Sequence, residues 1–585
     1  MRFEERAPSA LAALDLPANR TQLTGSQVLA SVYRHAGEDS DVPLKWGEQT
    51  ATSTAGNLLL IAPPGCGKTE LLAGRAKGLI PLLRANEKVL ALTFTNRARA
   101  NLCSRLDSEI GTKRRIHYVT VRNLHGHAAS VIFNHRRLLD FNLDSMRWPR
   151  RTTFKRAIER VAPWSDVRTR EEVDQQLCRV KCGPLSDFEV LEALTKLGNG
   201  IALAVELERV RSDELHYADL LRHAQRLLLN DDVAAWYQER YGAVLVDEFQ
   251  DLTSQQLEIA LRTCSKSRTF AGDPLQGIYG WAGAAPAAIE RDLRDICGEP
   301  VRSNISYRSS PAVLAMVNAV SVPMGAEPLS AHKPKSWIQG GVSAALAFET
   351  RSLEGKFIAL AAESIIATDP SASVGIICRS GWRRQRIDET FACRPEIDCV
   401  LWDLAVYEPG IVEMIRAAAK RMAIGITLRE AERRVVATID HIDFESIDLI
   451  REVFEMLATF GYQDLNSALA RLPVNRDEPV FAGVHLLNAH LGKGQQFDWV
   501  FIPGFEEGHL PDERCSAGPE LKEEERVLLV MLSRARKGVV ITRAKTSGGS
   551  RRRLTKSRWW DALAEAALTR SSELPGLLRS AQAPA

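Results

Sequence analysis

At 585 residues, with 45% apolar and 25% charged side chains, the chain has the make-up of a globular protein with large cores, divided into about four domains on the usual length prior. A net charge of +3 is too small to announce nucleic-acid binding by itself, although 76 Lys and Arg leave room for a locally basic groove. No run of about 18 apolar residues occurs and the N-terminus, Met1-Arg2-Phe3-Glu4-Glu5-Arg6, has no apolar h-region, so the expectation is a cytoplasmic protein, neither secreted nor membrane-spanning.

The ten cysteines are scattered. The close pair Cys178 and Cys182 has no second pair or clustered His at zinc spacing, and reads as reduced thiols.

In chain order, Gln27 and Gln49 come first. A side-chain amide can pair with both the N6 and N7 edges of adenine; both residues also suit plain surface positions, and Gln49 is the favoured reader because it lies nearer the next motif. Asn57-Leu58-Leu59-Leu60-Ile61 then reads as a buried strand running into Ala62-Pro63-Pro64-Gly65-Cys66-Gly67-Lys68-Thr69 and a helix start at Glu70. This is a phosphate-binding loop, departing from G-x-x-x-x-G-K-[ST] at Ala62. Gly65, Cys66 and Gly67 bring backbone N–H groups onto phosphate oxygens, Lys68 neutralises the β- and γ-phosphates, and the Thr69 hydroxyl suits a Mg²⁺ ligand.

Val89-Leu90-Ala91-Leu92 is a second strand, ending in Thr93-Phe94-Thr95-Asn96. Thr95 and Asn96 beside an aromatic suit a surface that holds a phosphate backbone and stacks a base, or an ordinary strand-to-helix cap. Val119 to Gly126, containing His125, repeats the pattern.

Gly242 to Val246 is an apolar strand ending in Asp247-Glu248-Phe249-Gln250-Asp251. Opposite a phosphate loop, paired acids serve a nucleotide site: Asp247 to hold Mg²⁺ and Glu248 to polarise the attacking water. A further strand, Arg268 to Ala271, leads to Gly272-Asp273-Pro274-Leu275-Gln276-Gly277-Ile278-Tyr279-Gly280-Trp281, where Gln276 can sense the γ-phosphate and Trp281 can stack on a base.

These motifs, in this order, resemble superfamily 1 helicases of the UvrD/Rep/PcrA type, which carry Asp-Glu-x-x-Asp and Gly-Asp-x-x-Gln-x-Ile-Tyr in these places. The resemblance implies an α/β fold of two RecA-like P-loop cores with parallel sheets, each carrying a helical insertion. The first core would be 1–130 with 215–297, its insert 131–214; the second core 298–393 with 480–585, its insert 394–479. By the same likeness Tyr307 of Ser306-Tyr307-Arg308-Ser309 stacks on adenine, Arg308 reaches the γ-phosphate, and Arg534 of Leu532-Ser533-Arg534 is the arginine finger. Val484 to Asp498 resembles the Thr-x-His-x-x-Lys-Gly-x-Glu-Phe motif through His490, Lys493 and Gly494; Asn488 replaces Thr, and Gln496 replaces the ribose-binding Glu, weakening that contact. Ala282 stands where relatives carry Arg.

The second insert, fewer than 90 residues, is much shorter than in relatives. The basic run 147–156 suits DNA contact or a solvated helix face, and the tail Arg551 to Trp560 suits either base stacking or docking of a last helix.

The resemblance thus implies a Mg²⁺- and ATP-dependent, DNA-stimulated ATPase moving 3′ to 5′ on single-stranded or tailed duplex DNA, with Thr95, Asn96, His125, Trp281 and His490 gripping the strand. Repair, recombination and anti-phage defence are the matching settings. The rival expectation is an ATP-gated DNA-binding or sensing subunit working with a partner nuclease or repair protein, as in Gabija-like defence, with little unwinding of its own.

Overall fold

The computed structural model describes residues 56–139, 148–149, 151–337, 340–394, 397, 399–402, 409–423, 425–438, 447, 450–451, 453–454, 457–458, 465, 480–547 and 553–569. The chain divides into two compact units, one drawn from 43–62 and 67–303 and one that includes 63–66 and 304–585.

The first unit is built on a six-stranded parallel sheet. Its strands are β1 (Asn57–Ile61), β2 (Lys88–Thr93), β3 (Val119–Asn123), β4 (Tyr241–Asp247), β5 (Arg268–Gly272) and β6 (Val301–Arg302), in the order β3-β2-β4-β5-β1-β6. Strands of a parallel sheet are covered on both faces, so they read as unbroken apolar runs; all seven residues of β4 are buried. Alternate residues divide the core in two. Leu59, Ile61, Leu90, Leu92, Val244 and Val246 face one hydrophobic layer, and Leu58, Leu60, Val89, Ala91, Ala243 and Leu245 face the other.

Between β3 and β4 the chain leaves the sheet through a set of helices. Arg151–Val161, Val167–Val180, Asp187–Leu197 and Gly200–Arg211 enclose a small core of their own that includes Ile158, Val173, Leu177, Leu194 and Val205. Tyr217–Leu228 then returns to the sheet. Its start is tied to this bundle by a buried ion cluster: the Asp219 carboxylate accepts from Lys181 (3.0 Å), Arg209 (2.5 Å) and Arg222 (2.8 Å), while Glu206 accepts from Lys181 (2.7 Å) and Arg209 (2.6 Å).

The second unit carries another six-stranded parallel sheet: β9 (Val342–Thr350), β10 (Ser373–Cys378), β11 (Cys399–Leu401), β12 (Gly483–Asn488), β13 (Phe497–Pro503) and β14 (Ala535–Thr546), ordered β11-β12-β10-β13-β14-β9. A short parallel pair, β7 (Ile305–Ser306) with β8 (Ser330–Ala331), precedes it. The last helix among the described residues, Trp560–Ala566, docks on this unit: Trp560 is buried, with its ring edge-on to Phe505 and under the Arg543 guanidinium. Of the two uses open to the Trp pair in the tail, docking is the one Trp560 has; Arg551 and Arg552 lie outside the described residues. Arg558 is paired with Glu507 (2.8 Å) and Lys556 with Asp561 (2.6 Å).

Candidate nucleotide and nucleic-acid sites

In the first unit the chemistry collects along one edge of the sheet. In an open parallel sheet ligands bind beyond the carboxyl ends of the strands. The registers Ile61↔Gly272 and Asp247↔Ala271 bring the ends of β1, β5 and β4 level, so that the phosphate loop, Asp273 and the Asp247-Glu248 pair emerge side by side.

Lys68 opens the helix Lys68–Leu79. Its N-cap, Gly67, sits at φ 81, a left-handed conformation that glycine adopts without a Cβ clash, and no side chain caps the helix start, which leaves it suited to an anion. The Lys68 ammonium donates to Glu248 Oε2 (3.1 Å). Burial works against its charge, but Glu248, Asp273 and Asp247 outweigh burial and raise its pKa above the usual lysine value. Asp247 is pushed up to about 7, first by burial and then by the neighbouring Glu248, with Lys68 pulling the other way. Asp273 is also raised by burial, against the pull of Lys68.

Glu248 has φ 57 and ψ 52, a left-handed backbone costing a non-glycine residue about 1–2 kcal/mol. That turn lifts its carboxylate off the line of β4 toward Lys68 and Gln250, whose Nε2 donates to Glu248 Oε2 (2.6 Å). Gln250 Oε1 in turn accepts from the Asp273 backbone N–H (3.0 Å), and the Gln276 amide donates to Asp273 Oδ2 (2.8 Å). Gly272 allows this closeness, since a Cβ there would lie 2.4 Å from Gln250 Oε1. The structure therefore brings Lys68, Asp247, Glu248 and Gln276 into one cluster, and adds Gln250 and Asp273, which sequence reasoning left without a role although both lie inside the motifs that frame the site. Thr69 follows Lys68 at the loop's helix start. A hydroxyl and a carboxylate are hard oxygen donors, so Thr69 with Asp247 fits Mg²⁺, and the uncapped helix with Lys68 fits a nucleotide's phosphates.

Farther along the same edge, Thr93↔Asn123 aligns the ends of β2 and β3. Thr95 is exposed and serves as the N-cap of Asn96–Ile110, its hydroxyl accepting from Ala98 N (3.1 Å); the cap alternative for this segment is thus realised in the structure. Asn96 Oδ1 accepts from Asn123 Nδ2 (2.8 Å), and His125, its pKa lowered by burial, lies edge-on to Tyr217. Trp281 is 71% exposed and continues an aromatic strip: Phe94 stacks on Tyr279 at 5.2 Å, and Tyr279 meets Trp281 at 6.2 Å.

In the second unit Tyr307 N donates to the Gly65 carbonyl (2.8 Å), which groups the loop tip with this segment, Cys66 being buried there. The Tyr307 ring lies 4.5 Å from His332, an aromatic partner sequence reasoning missed. Arg308 is half-buried and Gln496 exposed. His490 has its pKa lowered to about 4 by burial, with Arg379 and Lys493 adding to the effect. Arg534, expected as the arginine finger, is buried: its guanidinium donates to Val530 O (2.9 Å), Ser533 Oγ (2.8 Å) and Gln495 O (3.4 Å) of its own unit. Gln49, and residues 147 and 150 of the basic run, lie outside the described residues.

A phosphate-loop lysine among carboxylates at the carboxyl edge of a parallel sheet defines a P-loop nucleoside-triphosphatase. The family model for the UvrD/REP helicase N-terminal domain matches residues 47–296, and that for the UvrD-like helicase C-terminal domain matches 445–546. The chain belongs to the UvrD/Rep-type superfamily 1 helicases, a family of ATP-dependent DNA helicases. It is similar to the probable DNA helicase II homolog of Rickettsia felis, 22% identical over 85% of this chain and 92% of that protein. With the ATP-dependent DNA helicase UvrD2 of Mycobacterium tuberculosis it shares 27% identity over 90% of this chain and 81% of that one. DNA helicase II of Escherichia coli is 28% identical over 45% of this chain and 38% of its own length. Among the described residues no helix is long and apolar enough to cross a membrane.

Proposed function

We propose that the chain hydrolyses ATP with Mg²⁺ to move 3′ to 5′ along single-stranded DNA and to open duplex from a 3′ tail. The observation that carries this reading is the Lys68–Glu248–Gln250–Asp273–Gln276 cluster beside the Phe94–Tyr279–Trp281 strip, which ends in the exposed Trp281. Tyr279 and Trp281 follow Gln276 within five residues, so a shift of Gln276 at the nucleotide site is relayed to a base-stacking surface by a very short piece of chain.

In this reading Lys68 holds the β- and γ-phosphates, Thr69 and Asp247 hold the metal, and Glu248 takes the proton of the attacking water. Lys68 and Gln250 aim the Glu248 carboxylate; Asp273 fixes Gln276 for the γ-phosphate. Arg308 and Arg534 take the charge-stabilising roles that the family likeness gives them, which for Arg534 requires its guanidinium to leave the backbone carbonyls it now serves. Tyr307 offers a ring for the base. Thr95, Asn96, His125, Trp281 and His490 hold the strand.

The test is steady-state ATP hydrolysis with and without single-stranded DNA, beside Glu248→Gln, followed by strand displacement on duplexes with 3′ or 5′ tails. Stimulation by DNA, loss in Glu248→Gln and displacement only from the 3′ tail are expected. Stimulation without displacement would favour the ATP-gated subunit that hands DNA to a partner nuclease or repair protein. No response to DNA would overturn the reading.

A further inference from the structure

Away from the nucleotide site, the helix bundle between β3 and β4 holds three side chains of unlike chemistry at one spot. Asp174 and Cys178 lie on the helix Val167–Val180, four residues and so one turn apart, which puts the carboxylate and the thiol on the same face. His216 comes from another element, as the N-cap of Tyr217–Leu228. One ligand atom of each residue, a carboxylate oxygen, Sγ and a ring nitrogen, lies within 4.8 Å of the other two.

We propose that Asp174, Cys178 and His216 bind a zinc ion that fastens the helix Val167–Val180 to the start of Tyr217–Leu228. Bond lengths of about 2.3 Å to sulfur and about 2.0–2.1 Å to nitrogen and oxygen put tetrahedral donors roughly 3.2–3.7 Å apart. To meet this, His216 Nε2, now 2.9 Å from Asp174 Oδ1, has to open from it by a few tenths of an ångström, and Cys178 Sγ, within 4.8 Å of both, closes on the pair. A thiolate with an imidazole selects zinc over magnesium or calcium.

The surroundings suit a fixed site. His216 is buried, packs against Phe154 with ring centroids 5.0 Å apart, and its backbone N–H is held by Asp219 Oδ2 (2.8 Å). The His216 backbone is therefore held by the same carboxylate that gathers Lys181, Arg209 and Arg222. Asp174 is half-exposed on its outer side, where a water completes the fourth position.

On loading, the Cys178 thiol gives up its proton and Sγ bonds the metal. The neutral His216 ring keeps one proton, now on Nδ1, in place of the long 3.4 Å contact from Ala218 N.

Cys182 is not part of the set. It lies past the end of the helix Val167–Val180 and is not among the residues whose ligand atoms come together. Its thiol donates instead to the Cys178 carbonyl (3.0 Å).

The experiment uses the full chain without an affinity tag and without nucleotide, titrated with Zn²⁺ against a chelating indicator and, separately, with Co²⁺, whose thiolate charge-transfer and tetrahedral d–d bands report the ligands directly. Wild type is expected to take up one equivalent and to show both bands. Cys178→Ser should lose the charge-transfer band and bind zinc at least about 100-fold more weakly, beyond the roughly 10–100-fold typical of losing an outer-shell partner. Asp174→Asn should weaken binding at least tenfold, and Cys182→Ser should bind as wild type does. Circular dichroism checks that each variant is folded, and the cobalt bands of wild type stand whether or not a variant folds. Equal uptake by wild type and Cys178→Ser, or loss in Cys182→Ser as deep as in Cys178→Ser, would overturn the proposal; a wild type that takes up no zinc leaves the Asp174–His216 contact a plain hydrogen bond and overturns it too.

Discussion

Replacing Lys68 by Met should change how stability depends on pH as well as abolish hydrolysis. In the folded protein Asp247 and Asp273 both have raised pKa values because burial disfavours their charged forms, and in both Lys68 pulls the value back down. An opposite charge at this range is worth roughly 1–3 pH units to a carboxyl group, so its loss should lift Asp247 from about 7 to roughly 8–10. An unfolded Asp titrates near ~3.9, and a folded state that keeps its proton longer loses stability as pH rises, by about 1.4 kcal/mol per unit for each proton held. These two acids should therefore contribute a loss of stability from pH ~4 to ~7 that levels off in wild type, whereas Lys68→Met should go on falling relative to wild type, by roughly 1.5–3 kcal/mol between pH 7 and 9. Urea unfolding at half-unit pH steps, in chelator and without nucleotide, measures this. Adding Glu248→Gln to Lys68→Met removes the like charge next to Asp247 and should recover part of the loss. Parallel curves for wild type and Lys68→Met would refute the reasoning, because they would mean that Lys68 does not govern the ionisation of these acids.

Asp219→Asn leaves Lys181, Arg209 and Arg222 short of their shared counter-charge and should cost about 3–5 kcal/mol in urea unfolding, while Asp187→Asn, at a half-exposed partner of Arg222, should cost under about 1 kcal/mol. Gly272→Ala drives a Cβ to 2.4 Å from Gln250 Oε1 and 2.6 Å from Phe249, so it should lower stability by about 1–3 kcal/mol and, by moving Gln250 off Glu248, cut steady-state hydrolysis at least about tenfold. Trp281→Ala should weaken single-stranded DNA binding, read by fluorescence anisotropy, by about 1–3 kcal/mol with no change in Tm, since the ring is mostly exposed and holds little of the fold together.

Inner strands of the first sheet were legible because a parallel strand covered on both faces must be largely apolar: residues 58–61 and 242–246 both read that way. The two-residue strands Val301–Arg302 and Ile305–Ser306 carry no period that a sequence can show, and are held by their neighbours alone. At the nucleotide site, Lys68 and Glu248 stood out because their chemistry is local to their motifs. Gln250 and Asp273 did not, since each acts by hydrogen-bonding another site residue, and that relation exists only once β4 and β5 lie side by side. The same holds for Asp174, Cys178 and His216: 38 residues separate the thiol from the imidazole, and only the folded bundle brings them together. Arg534 shows the opposite limit, a motif residue whose buried, backbone-bound guanidinium no sequence pattern announces.

The strand order of the first sheet also sets a timetable for synthesis. β1, which feeds the phosphate loop, sits between β5 and β6, so its first residue has no sheet partner until Arg268 has been made, 211 residues later. At about 5–20 residues per second that is a wait of roughly 10–40 s, during which Leu58-Leu59-Leu60-Ile61 is made but cannot pair. An apolar strand left waiting this long is a natural client for a chaperone at the ribosome, and slow codons between β1 and β5 would lengthen its exposure without altering a single contact in the finished protein.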